Sequence, residues 1–321
     1  MEIAIISAES LGTRGMCCLV RTKDRRILID PGVALGYLRS GLLPHPFQVA
    51  TGAIIREKIV SSYVLATDII FSHYHGDHIP LARANPFQLS LQRVQSRLVN
   101  ARLWGLNPEN ETDAMRTRAE EIAFSCGRKI SAADGCSDRE ISFSSAVPHG
   151  RSAGNKNRVL MTRIAGDGGV FVHASDIQLL ERDSITQILE WRPDIVFVAG
   201  PPLYLHRLSR IDLDDAWQNA LMLTDNVDTC IIDHHVLRSS EGIEWLDELR
   251  RSSRNTVMCA ADYMKQKRSC LEAFRQDLYR DIPVGEAWHD AYAQRAADFS
   301  GYLAWRGRDI SGEMHNLQGM K

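Results

Sequence analysis

Within the six residues His73-Tyr74-His75-Gly76-Asp77-His78, three histidines and one carboxylate follow directly on the apolar, β-branched run from Ala66 to Ser72. A strand therefore leads straight into four groups able to hold metal. Side chains two apart in an extended segment point the same way, so His73 and His75 can grip one cation. Gly76 then lets the chain turn, bringing Asp77 and His78 toward a second. The competing reading is a surface turn decorated with polar groups, but strand ends opening into a cleft are where ligands concentrate.

These residues match H-x-H-x-D-H, the signature of the metallo-β-lactamase superfamily, at every fixed position. The remaining motifs occur in the superfamily's order. Ile27-Leu28-Ile29-Asp30-Pro31-Gly32 resembles its early strand ending in Asp, Val147-Pro148-His149-Gly150 its third motif, and Asp176 after Val170 to Ser175 its fourth. Ile231-Ile232-Asp233-His234-His235 resembles the last motif and offers two histidines. The match covers roughly residues 1–240. Ser10 to Gly15, Gly41 to Pro46 and Gly200 to Pro202 look like a mostly archaeal branch of predicted metal-dependent hydrolases, a likeness that names no substrate.

The resemblance implies an α/β fold, the αββα sandwich of two mixed β-sheets flanked by helices. It also implies two divalent cations, zinc first, with iron or manganese as alternatives. His73, His75 and His149 would hold one; Asp77, His78 and the last-motif histidine the other; Asp176 would bridge them. Asp30 would orient a ligand from behind. Hydrolysis by a metal-bridging hydroxide follows, with Asp77, His234 and His235 as catalytic residues.

Adjacent residues on a strand end point oppositely, so only one of His234 and His235 fits the last position. His234 is preferred, and the other is either a proton donor to the leaving group or a surface histidine. Asp233 is a prospective acceptor for a ligand histidine. The prospective substrate-binding residues are Arg14, Arg151, Tyr204 and His206, all in glycine-flanked or strand-end segments. The Arg151 fork suits a phosphate or carboxylate, and Tyr204 or His206 a hydrogen bond or a leaving-group proton; ion pairing and loop packing are the plain alternatives. His173 reads as a buried, hydrogen-bonded histidine, and His45, His289 and His315 as structural.

Elsewhere, residues 2–7, 16–21 and 26–30 read as antiparallel strands, and Ala53 to Ser62 as a helix. Helical spacing among many arginines predicts a helical insertion over about 84–130. Strands at 139–147, 158–164 and 169–174 lead into β-α-β alternation up to residue 232. Residues 241–321 read as a helical extension packed on the core, apart from a short apolar run near Val257.

Composition narrows the function. With 321 residues, 44% hydrophobic and 24% charged, the chain excludes disorder and coiled coil. A net charge of −2 exerts no global pull on nucleic acid or anionic membrane. The longest apolar run, Ile195 to Leu205, is broken by Gly200, Pro201 and Pro202 and is too short to span a bilayer. Glu2 stands where a signal peptide would be basic. Seven cysteines without a C-x-x-C pair read as reduced and structural, so a cytoplasmic protein is expected.

Within the superfamily, His75 stands where oxygen-reducing diiron members carry Glu. The interval from Asp176 to His234 is too short for the extra domain of β-CASP nucleases. Ile79-Pro80-Leu81 departs from glyoxalase-II-like thioesterases, and the last motif lacks the Gly-His-Gly of true β-lactamases. A small anionic substrate, phosphoester or lactone, remains. The alternative is an RNase Z-like phosphodiesterase cleaving RNA or DNA, since the arginines from Arg83 to Arg128 and Arg250-Arg251-Ser252-Ser253-Arg254 could touch phosphates. A non-catalytic metal-binding regulatory protein is the third reading, and a homo-oligomer stays open.

Overall fold

The computed structural model describes residues 1–151 and 156–303. Strands β1 (Glu2–Ile5), β2 (Cys18–Arg21) and β3 (Arg26–Ile29) pair antiparallel. β3 then runs parallel to β4 (Asp68–Phe71), followed by β5 (Arg102–Gly105) and β6 (Ser131–Ala132), completing a six-stranded sheet in sequential order. Parallel neighbours need crossover connections. These contain α1 (Pro46–Tyr63), α2 (Gln95–Leu98) and α3 (Asp113–Cys126).

The second sheet contains β7 (Ser137–Asp138), β8 (Ile141–Phe143), β11 (Thr162–Gly166), β12 (Gly169–Ala174), β13 (Ile195–Val198), β14 (Thr229–Ile232) and β15 (Thr256–Met258), ordered β15-β14-β13-β12-β11-β8-β7. β9 (Val147–Pro148) and β10 (Arg158–Val159) form a separate pair. β12 to β15 are parallel, joined through α4 (Arg182–Glu190), α5 (Arg210–Asn226) and α6 (Ser240–Ser252). Both sheets feed one continuous core in which Ile29, Ile69, Phe71, Phe171, Phe197 and Ile231 are fully buried. β4, β13 and β14 are near-continuous apolar runs because both of their faces are covered. This is the αββα sandwich of two mixed sheets flanked by helices.

Three segments differ from the sequence reading. α1 begins at Pro46, well before Ala53, because proline suits the first helical turn and the buried His45 side chain accepts the Phe47 N–H as a cap. The expected helical insertion over 84–130 contains β5, a full partner of β4 in the first sheet. The short run near Val257 is β15, which extends the second sheet beyond residue 240. Beyond it come α7 (Ala260–Tyr263), α8 (Arg275–Asp281), α9 (Trp288–Ala293) and α10 (Ser300–Leu303), with α10 packed on α1. His315 lies outside the described residues. Among the described residues, no helix is long and apolar enough to cross a membrane.

Candidate metal centre

The C-terminal ends of parallel strands meet in one crevice: Asp30 follows β3, His73 to His78 follow β4, Asp176 follows β12, and Asp233 to His235 follow β14. His149 joins them from the turn after β9. Asp30, Asp176 and His234 have φ of +46°, +52° and +62°. Asp and His are among the few side chains that tolerate this left-handed region, and such residues gather at functional sites. The kink swings each side chain off its strand line into the crevice. A Cβ on Gly32 would collide with the backbone of His78 and Ile79, so the turn after Asp30 can lie directly against the metal motif.

Asp176 sits at the middle of the cluster and divides its oxygens between two groups. Oδ2 lies 2.7 Å from His149 Nε2, 3.4 Å from His73 Nε2 and 4.0 Å from His75 Nδ1. Oδ1 lies 3.1 Å from His78 Nε2 and 3.2 Å from His234 Nε2. Asp77 Oδ2 stands 3.6 Å from His234 Nε2 and 3.9 Å from His78 Nε2. His73, His75, His149 and Asp176 thus converge on one side, and Asp77, His78 and His234 on the other, each set close enough to share a cation.

Asp30 orders this array from beneath. Its carboxylate accepts the Ser72 N–H (2.8 Å), the Ser72 hydroxyl (2.7 Å), the Ser175 hydroxyl (2.5 Å) and His78 Nδ1–H (3.0 Å). Because the Ser72 proton goes to Asp30, the Ser72 oxygen can accept His73 Nδ1–H across 2.8 Å. Both histidines then carry their protons on Nδ1 and aim Nε2 lone pairs into the crevice. Burial raises the Asp30 pKa, but the His78 hydrogen bond and charge outweigh it and hold the carboxyl at about 2.

Two buried atoms, His78 Nε2 and Asp176 Oδ1, have no hydrogen-bond partner although they face each other. Two lone-pair donors aimed at one point fit a cation. Burial opposes charge on His78, yet Asp176 and Asp77 raise its pKa well above the ordinary value, so this pocket attracts positive charge. Burial, aided by His78 and His75, pushes His73 down to about 3, keeping a neutral ring. Neutral imidazoles with carboxylates are the form in which these groups ligate metal.

Both last-motif histidines reach the cluster. The strand ends at Ile232, and the left-handed His234 removes the alternation that would separate the rings. His235 Nε2 lies 3.3 Å from Asp176 Oδ2, and its Nδ1 is 3.3 Å from the Tyr204 hydroxyl. Asp233 is no acceptor for a histidine ring: it takes the backbone N–H groups of Ser10 (3.1 Å), His234 (2.6 Å) and Ala260 (2.9 Å) together with the Ser10 hydroxyl. Arg151 turns away to pair with Asp212 and Asp215, both at 2.7 Å, and His206 is exposed. Arg14 pairs with Glu272 on the flank of the centre. His173 is buried against the Met16 carbonyl, and His289 bonds the Pro44 carbonyl.

Besides Ser72 and Ser175, Gln178 and Arg238 escaped the sequence reading. Gln178 lies 3.1 Å from His149 Nδ1 and steadies that ring. The buried Arg238 stands 2.8 Å from His234 Nε2 and 3.4 Å from Asp77 Oδ2 through Nη2, and it donates to the Tyr204 hydroxyl (3.1 Å) and Glu9 (2.9 Å). Its place four residues after His234 was the available signal.

The chain is 45% identical over 303 residues to a UPF0282 protein of Methanosarcina mazei, covering 94% of this chain and 100% of that one. It is 33% identical over 302 residues to UPF0282 protein TK1681 of Thermococcus kodakarensis, covering 89% and 97%. The chain belongs to the UPF0282 family. The ordered motifs and the two-sheet sandwich of this UPF0282 member are those that the resemblance to the metallo-β-lactamase superfamily implied. No family model matches it. Solved structures similar to the UPF0282 chain include an isothiocyanate hydrolase from Delia radicum gut bacteria (12% identity, TM-score 0.45, 84% of this chain and 94% of that one). Another is CmlA, a diiron β-hydroxylase from Streptomyces venezuelae (14% identity, TM-score 0.46, 80% and 52%).

Proposed function

We propose that this protein is a hydrolase working with two divalent cations, zinc first and iron or manganese as alternatives, on a small anionic substrate such as a phosphoester or lactone. The observation that carries this reading is the division of the Asp176 oxygens between two ligand groups. His73, His75 and His149 would hold one cation, Asp77, His78 and His234 the other, and Asp176 both. Bound there, the pair would polarise the substrate, acidify water and neutralise developing charge.

The chain's own residues do the rest. Asp30 and Ser72 keep the protons of His78 and His73 on Nδ1, away from the ligand atoms. With the Tyr204 hydroxyl donating to His235 Nδ1, that ring keeps its proton on Nε2 facing Asp176, and burial, aided by Arg238, holds its pKa well below the ordinary value, so it stays neutral and orients the Asp176 carboxylate.

The RNase Z-like alternative draws less support, because several of the arginines it would use have other partners. Arg83 pairs with Glu121, Arg93 with Glu57, Arg102 with Asp68 and Asp138, and Arg128 bonds the carbonyls of Val99 and Ala101. A panel of phosphomonoester, phosphodiester, lactone, thioester and RNA substrates tests the proposal on protein of measured metal content. Metal-dependent turnover of a small ester is expected. RNA cleavage well above every small substrate overturns the substrate class, and two bound cations with no turnover move the chain to the regulatory reading.

A further inference from the structure

Beside the second ligand group lies a buried knot of charge that the hydrolytic machinery leaves unused. Glu272 accepts from Arg14 Nε (2.9 Å) and the Gly36 N–H (3.3 Å), with Arg275 Nη2 at 3.6 Å and Arg39 Nη1 at 3.9 Å. Glu9 pairs with Arg238 at 2.9 Å and lies 4.0 Å from Arg14. Gly36 is needed because a Cβ there would strike the Arg14–Glu272 pair. Four guanidinium groups thus crowd two buried carboxylates. The Nε and Nη2 atoms of Arg275 are buried with no hydrogen-bond partner.

Burial, reinforced by Glu272, raises Glu9 to about 7 against the pull of Arg238 and Arg14, which thins the negative charge further. Glu241, near Arg39, is exposed at the rim. Asp77, 3.4 Å from Arg238, is a third carboxylate beside the four guanidinium groups, and with the Glu9 charge thinned the remaining cationic excess calls for an anion. The entrance is partly open: the Arg14 and Arg39 side chains are 25% and 21% exposed. Arg39 and Arg238 both lie over the Tyr204 ring, 5.2 and 5.7 Å from its centre. Tyr204 and Arg238 in turn touch His235 and Asp77, so the knot opens on the metal centre.

We infer that Arg39 and Arg238, which flank Tyr204, form with Arg14 beside them a subsite for the phosphate group of a substrate whose reacting bond lies at the metals. Guanidinium forks match the three free oxygens of a phosphate group better than the two of a carboxylate. The position of the reacting bond rests on the hydrolase reading; the phosphate subsite itself does not need turnover.

The test is calorimetric titration of inorganic phosphate into the protein as purified with its metals, beside Arg39→Ala and Arg39→Lys. Arg39 touches no metal ligand, so metal content, measured in parallel, is expected to stay equal in all three. Phosphate affinity should fall roughly tenfold or more in Arg39→Ala and by less in Arg39→Lys, and wild-type protein should bind acetate more weakly than phosphate. Equal phosphate affinity in wild type and Arg39→Ala, no binding by wild type, or acetate binding as tight as phosphate overturns the subsite. Failure of every ester to turn over would sink the hydrolase reading and leave the titration to be judged separately.

Discussion

The two groups of candidate ligands on either side of Asp176 differ in one donor, a third histidine against the Asp77 carboxylate, and in their surroundings. His73, His75 and His149 form the more open side, with the His75 and His149 side chains 33% and 16% exposed. Asp77, His78 and His234 form the closed side, where His78 and His234 are fully buried and Arg238 lies 2.8 Å from a His234 ring nitrogen. A cation entering the closed side meets the Arg238 charge as well as the Asp77 carboxylate, and one entering the open side meets neither. The two sides are therefore expected to differ in cation affinity, with Arg238 lowering that of the closed one.

The largest effect that could break this comparison comes from removing what the two sides share. Asp176→Ala should drop bound metal to well under one equivalent by elemental analysis and cut turnover roughly a thousandfold, about 4 kcal/mol. Retention of one tight cation would show that the open side stands without the carboxylate. Asp30→Asn comes next, because an amide cannot satisfy four donors. A stability loss of about 3–5 kcal/mol in denaturant titrations is expected, with metal affinity lower by roughly 10–100-fold on both sides, since Asp30 reaches His78 directly and His73 through Ser72.

His45, outside the centre, separates its acid sensitivity from that of the rest of the fold. Burial, helped by His289 and Arg275 against the Ile282 carbonyl, lowers its pKa from 6.5 to about 4. Between those values the unfolded chain binds more protons, so the stabilisation is full above 6.5 and is lost as pH falls toward about 4. His45→Gln should remove about 2 kcal/mol of that slope in pH-dependent unfolding curves; an unchanged slope would mean the acid sensitivity resides elsewhere. The smallest effect sharpens the inequality itself. Arg238→Met should tighten the closed-side cation by roughly tenfold in chelator competition and leave the open-side one unchanged, whereas a weaker closed-side cation would make Arg238 a support for the site.

The convergence of these His and Asp residues could be read in the chain because metal chemistry concentrates rare residue types at strand ends, and β4 leads into His73 with only Ser72 between. The β-α-β alternation was equally plain, since strands covered on both faces are unbroken apolar runs. β5 was not legible: Arg102-Leu103-Trp104-Gly105 is four residues long and sits among arginines at helical spacing. Local alternation misjudged His234 and His235, because a single positive φ rotates two adjacent side chains onto the same carboxylate. The fate of Arg14 depended on Glu272, more than 250 residues away, and no local pattern reports such a pairing.

The most direct test of the shared carboxylate is anomalous diffraction from crystals of the protein grown with its native metal. Two peaks roughly 3.5–4 Å apart, one on each side of Asp176, are the predicted result. A single peak, or two peaks of which neither touches Asp176, would contradict it.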